Sequence, residues 1–175
     1  LTFRPEINFT QEDGDVLEYI NNMLETGATR DAHREQGWYP QLRWTGQTKC
    51  IPILKLLSQF VVTNASCARI NDVLSRVSLP LAVTHDLTLE WIVGFWDAEG
   101  SIELQTTSSV LSISQNDKGI LLKIKEFLGV GGNIQCDIHG CHRLNLHHKQ
   151  GQKLVDAIFK YSHIERKKQM LTERW

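Results

Sequence analysis

The sequence lacks a surplus of either charge: 19 Lys and Arg stand against 20 Asp and Glu, a formal net charge of −1 and a pI near 6.7. Neutralising phosphate favours an excess of Lys and Arg, so bulk charge argues against non-specific nucleic-acid coating. The local exception is a basic cluster at the end of the chain, Arg166, Lys167, Lys168 and Arg174. No apolar run approaches the roughly 18 residues that a membrane span needs, so no membrane insertion is expected. Leu1–Gly14 is polar and acidic, unlike a secretory leader, and an opening on Leu rather than Met is compatible with processing or trimming. The four cysteines (Cys50, Cys67, Cys136, Cys141) form no CxxC pair, which favours free thiols in a reducing compartment. Cys136, His139, Cys141 and His142 fall close together. Adjacent strand residues point to opposite faces, so ordinary hairpin positions outweigh a zinc site there. What is present suits a folded core: 41% of the 175 residues are hydrophobic, enough for one domain or two small half-domains.

The chain contains an internal repeat. Phe9, Gln11, Asp13, Leu17 and Leu24 match Ile113, Gln115, Asp117, Leu121 and Leu128 at one constant offset. In each copy an alternating stretch (Ile7, Phe9; Leu111, Ile113) predicts a half-buried strand. Asp13 and Asp117 stand where an N-cap belongs, and the helices that follow carry Leu17, Ile20, Leu24 or Leu121, Ile124, Leu128 at helical spacing. Gly129, Gly131 and Gly132 stop the second of these helices. Trp38–Trp44 resembles Cys141–His147; Gly46 and Gly151 follow those strands and precede further helices, and last helices are expected over Cys67–Ser75 and Arg166–Glu173.

The second copy also has a helix at Thr88–Ala98 and a hairpin at Ser101–Val110, for which the first has only Leu1–Pro5. The expected organisation is therefore a first repeat over 1–80, lacking its leading helix and first hairpin strand, and a complete second repeat over 81–175, joined through Ser78–Val83 with Pro80.

The segment Leu89–Ile102 holds the most specific chemistry. Gly94 and Ala98 are four apart, share one helical face and permit close helix contact. Thr88 can cap the start and Gly100 can stop the end. Asp97 and Glu99 sit at the helix C-terminus, where the backbone dipole is already negative and a helix built only for stability would carry Lys or Arg. Carboxylates there suit either a divalent cation or a solvated acidic helix end.

Ile92–Gly100 resembles the signature of the LAGLIDADG homing endonucleases, with Gly94, Asp97, Ala98, Glu99 and Gly100 in the expected places. The strand–Gln115–x–Asp117–helix pattern, the hairpins and the terminal basic cluster resemble the family too, so the likeness covers nearly the whole chain. The resemblance implies an α+β fold of two αββαββα repeats, here with the first truncated. It implies motif helices packed through Gly94, Asp97 and Ala98, and sheets that form a saddle over duplex DNA. It assigns Mg2+ to Glu99, with Gly100 beside it, and implies hydrolysis of both strands by one acid from each repeat. It places Gln115 near the attacking water, with Gln11 as its counterpart. Lys167 is the basic assistant, and Arg166 or Lys168 takes that role if the alignment slips by one.

The first copy departs from the pattern: it has no partner for Glu99, and Asn64–Ser66, opposite Arg166–Lys168, carries no charge. A second protein chain would then supply the missing helix. Nucleic-acid contacts are expected from Gln11, Arg43, Glu103, Gln105, Arg143, Arg166 and Lys168. Core packing is favoured for Trp38, Tyr39 and Trp44, and His139, His142, His147 and His148 suit ordinary hairpin positions as well as phosphate contacts. The expected activity is site-specific, magnesium-dependent cleavage of double-stranded DNA, incomplete in a single chain. The alternatives are a maturase that binds structured RNA, or a non-catalytic subunit of a larger organellar complex such as a ribosome or respiratory assembly. Near-neutral charge and the stripped first copy favour the subunit over a working nuclease. The family resemblance suggests a mitochondrial or chloroplast home.

Overall fold

The computed structural model describes residues 3–10, 14–24, 28–34, 37–105, 108–131 and 133–175, in two compact units, Leu1–Asp86 and Leu87–Trp175. The positions of Gln11 and Asp13 lie outside the described residues, as do the side chains of Trp38, Tyr39 and Gln105.

The first unit runs β1 (Glu6–Thr10), α1 (Gly14–Leu24), β2 (Ala28–Arg34), β3 (Gly37–Thr45), α2 (Gln47–Ser58) and α3 (Asn64–Arg76). Its three strands are antiparallel in the order β1-β3-β2. Ile7, Phe9, Leu42 and Trp44 face the helices, where Leu17, Cys50 and Ile53 complete the core. Trp44 is fully buried, with Phe9 edge-on at 5.6 Å, so it is a core residue and unavailable to a base. Glu6, Asn8, Gln41 and Arg43 occupy the opposite, helix-free face, as strand alternation requires. The stretch around Pro80 contains no helix or strand. The units part beyond the expected 80/81 division because Asn71 holds the backbone of Ala82 to the first unit: its Oδ1 accepts from Ala82 N at 2.7 Å and its Nδ2 donates to Ala82 O at 3.0 Å. His85 N donates to Val61 O at 2.7 Å, further along the same stretch.

The second unit runs α4 (Leu89–Glu99), β4 (Gly100–Gln105), β5 (Ser108–Gln115), α5 (Lys118–Leu128), β6 (Ile134–Cys136), β7 (His142–His147), α6 (His148–Tyr161) and α7 (Glu165–Arg174). Its antiparallel sheet has the order β4-β5-β7-β6. The N-caps follow the sequence: Thr88 accepts from Trp91 N at 3.2 Å and Asp117 from Gly119 N at 2.8 Å. Gly129 ends α5 in the left-handed conformation, φ 68°. Ile92, Val93 and Trp96 bury one side of α4, while Leu111, Ile113, Leu144 and Leu146 form the sheet side of the core.

Gly151 lies inside α6 rather than before it, and a side chain there would meet the Trp175 ring at 2.6 Å and Leu111 at 3.1 Å. Gly100 stops α4 as its C-cap, in an extended conformation (φ −90°, ψ 151°) rather than a left-handed turn, and opens β4. Its missing Cβ makes room for the buried Trp96 indole, three atoms of which a methyl group would overlap. At Gly94, by contrast, an added Cβ meets nothing within 4 Å. Gly100→Ala should therefore cost stability at the upper end of the roughly 1–3 kcal/mol typical of overpacking. Gly94→Ala should raise the stability of the isolated chain by about 0.5–1 kcal/mol, and chemical denaturation of the two variants checks both signs.

Candidate cleavage centre and nucleic-acid interface

The C-terminal end of α4 collects the acidic residues and one lysine. Glu99, the last residue of the helix, is exposed, and it enters none of the ion pairs of the described residues. Asp97 is partly buried and accepts from Ser162 Oγ at 2.8 Å. Ser162 is itself buried, and its hydroxyl also accepts from Ile164 N at 3.1 Å. Burial pushes the Asp97 pKa above the ordinary carboxylate value, against the hydrogen bond from Ser162 and the charges of Lys167, His163 and Lys168, which pull it down. Asp97 is thus tied to the second unit through Ser162. Its side chain faces the α6–α7 connection, while Gly94 and Ala98 stand exposed.

The cation missing from the α4 sequence arrives from α7. Lys167 Nζ donates to Trp96 O at 2.9 Å, Asp97 O at 2.6 Å and Gly100 O at 2.9 Å, and sits 4.7 Å from the centre of the Trp96 ring. An ammonium on the last carbonyls of a helix satisfies orphan acceptors and offsets the dipole. Lys168 instead pairs with Glu165 at 2.9 Å.

Gln115 ends β5, two residues past Ile113, the register partner of Gly100, so it lies at the same end of the sheet as Glu99. Its Oε1 accepts from Asn116 N at 2.8 Å. Among the described residues no group of three or more His, Cys, Asp or Glu side chains could hold a metal ion. What the α4–β4 junction offers is one exposed carboxylate, Glu99, and the Gly100 carbonyl, which Lys167 already engages. That donor set fits a magnesium-type ion only as part of a shared site, because Mg2+ takes one or two carboxylates and completes its shell with phosphate and water. The cysteines and histidines near 136–142 are organised as a turn: Asp137 Oδ1 accepts from His139 N at 2.8 Å and Cys141 N at 2.9 Å, and Gly140 takes φ 82°.

The helix-free face of the second sheet is a polar lattice. Arg143 reaches across β5 to Glu103 at 2.7 Å and to Ser114 Oγ at 3.2 Å. Ser112 Oγ donates to Asn145 Oδ1 at 2.9 Å, and Asn145 Nδ2 to Gln135 Oε1 at 3.3 Å. On the first sheet Arg43 pairs with Glu6, and Gln41 Nε2 donates to Thr10 Oγ1 at 3.2 Å. Ser162, Ser112 and Asn145 carried no sequence signal, since their partners lie far away in the chain and follow no local spacing.

Comparison with known proteins agrees with this architecture. The LAGLIDADG endonuclease family model matches residues 92–175, the second unit and the signature segment of α4. Three solved structures share its fold. The meganuclease I-AabMI bound to uncleaved DNA is 16% identical with a TM-score of 0.61, covering 90% of this chain and 74% of that one. The homing endonuclease I-LtrWI bound to target DNA is 15% identical, TM-score 0.60, covering 92% and 73%. I-SmaMI bound to an uncleaved DNA target in the presence of calcium ions is 12% identical, TM-score 0.60, covering 92% and 74%. No curated protein matches the chain.

Two expected outcomes follow from the α4 terminus. Lys167→Met leaves three carbonyls without their charged donor and should cost about 1.5–3 kcal/mol in chemical denaturation. Because the Asp97 pKa is raised on folding, its contribution to stability is fully present below the ordinary carboxylate pKa and is lost as pH rises through the raised value. Asp97→Asn should therefore gain on the parent as pH rises from the ordinary carboxylate pKa, about 3.9, through the raised value, when unfolding is followed against pH.

Proposed function

We propose that this chain is a DNA-binding LAGLIDADG protein whose α4 carries one half of a magnesium-dependent cleavage centre, completed by a second motif helix packed on the same face. The observation that carries this reading is the state of α4: its Gly94–Ala98 face is uncovered, and Glu99 stands exposed where that face ends. On this reading the first unit is a second repeat of the same kind, since β1, α1, β2, β3, α2 and α3 correspond in order to β5, α5, β6, β7, α6 and α7. The DNA-bound states of I-AabMI and I-LtrWI support duplex DNA as the ligand.

Within the centre Glu99 would hold a divalent ion together with an acid of the partner helix, Gln115 would orient water, and Lys167 would keep the α4–β4 junction in place. Such an ion supplies Lewis-acid charge at the scissile phosphate and a more acidic water. The Lys167 contacts support a positioning role rather than that of a proton acceptor, because its ammonium is already committed to three carbonyls.

A second reading keeps the fold for its surfaces alone, as a subunit of an organellar assembly or an RNA-binding maturase. The near-neutral charge and the ion-paired arginines of the sheets favour it. Sedimentation at micromolar concentration and cleavage of a randomised duplex library with Mg2+ decide between them. The nuclease reading expects Mg2+-dependent cleavage, and loss of cleavage with retained DNA binding in Glu99→Gln. A monomer that leaves the library intact sinks it, and co-purification within a large assembly from the native source would support the second reading.

A further inference from the structure

Both helix-free sheet faces present an arginine, and in both a glutamate already holds it. Arg43 of β3 pairs with Glu6 of β1, whose Oε1 accepts from Asn8 Nδ2 at 2.7 Å. Arg143 of β7 crosses β5 to reach Glu103 of β4 at 2.7 Å, with its Nε on Ser114 Oγ at 3.2 Å. The two pairs are not copies of one another. Asn8 stands opposite Arg43 in the first sheet, but the matching Ser112 of the second stands opposite Asn145, two residues along β7 from Arg143. The arrangement therefore occurs at two different places in the repeat, each pairing an acid on an outer or adjoining strand with a base on the strand beside it or one further in. Side-chain exposures of 32% and 36% for the first pair and 46% and 41% for the second leave both accessible to a ligand and weak enough to exchange.

A free arginine on such a face would bind any phosphate, and phosphates are the same along every duplex. A paired arginine must give up its carboxylate first, and the stranded carboxylate then repels the backbone. The major-groove edge of a G·C pair removes both penalties: guanine N7 and O6 accept from Arg, while cytosine N4 donates to Glu. We propose that Glu6 and Glu103 are specificity-determining residues, holding Arg43 and Arg143 off the phosphates so that the sheets engage a duplex only where base edges replace both partners. The proposal rests on the DNA-binding reading above and deepens it: the favoured positions under these two pairs are G·C.

The test is fluorescence-polarisation titration of a random-sequence duplex with the parent chain, Glu6→Gln and Glu103→Gln over a range of salt. Each variant should bind about fivefold to tenfold more tightly at ~0.1 M salt, with the salt slope steeper by about one, the signature of one more phosphate contact. Adding Arg143→Gln to Glu103→Gln should return affinity and slope to the parent's values. Glu126→Gln, the same change of charge on α5, separates the local effect from bulk charge and should leave the slope where it was. If Glu6→Gln and Glu103→Gln behave like Glu126→Gln, the latch is overturned while DNA binding stands. If neither parent nor variants bind, the DNA reading and the latch fall together. Thermal unfolding of each variant verifies that the fold is intact.

Discussion

The contact between the Lys167 ammonium and the last carbonyls of α4 is the constraint on which the second unit depends. A helix that ends in Asp97 and Glu99 sets two carboxylates against the negative end of its own dipole, and nothing within α4 relieves this. The relief comes from α7, some seventy residues later in the chain, and it touches Trp96, Asp97 and Gly100 at once. Trp96 in turn fills the space that only a glycine at 100 leaves open. Helix end, strand start and terminal helix are interlocked through four residues. Glu99, the one acid of the group left exposed, stands at the edge of that lock.

Much of this was legible in advance wherever the signal was local. The repeat offset placed β1 and β5, Asp117 and Thr88 announced their caps, and Gly129 its left-handed turn, because each depends on residues within a few positions. Contacts across the fold were not legible. Gly100 reads as a helix stop, and it is one, but the space its missing Cβ leaves for Trp96 depends on the direction of the indole, which the sequence does not carry. The hold of Ser162 on Asp97 was hidden because that hydroxyl has no periodic relation to α4. Lys167 was identified through family resemblance as a basic assistant. Its hold on three carbonyls could be seen only once α7 was folded against α4.

Net charge misleads for a similar reason. A value of −1 describes the whole chain and says little about any one surface. On both sheets, cations and anions lie side by side in hydrogen-bonded rows, so the faces are polar and ordered without being strongly charged. Such a surface gains little from long-range attraction and must depend on matched contacts at short range.

The junction between α4 and β4 has a mechanical consequence. Glu99 closes the helix and Gly100 opens the strand with no loop between them, and Lys167 clamps both sides of the join. There is no slack to absorb a bend. Any curvature imposed on β4, which runs on from Glu99 to Glu103 within the same sheet, is passed to the helix end as a tilt. The carboxylate at the tip of α4 therefore acts as the short arm of a lever whose long arm is the sheet itself.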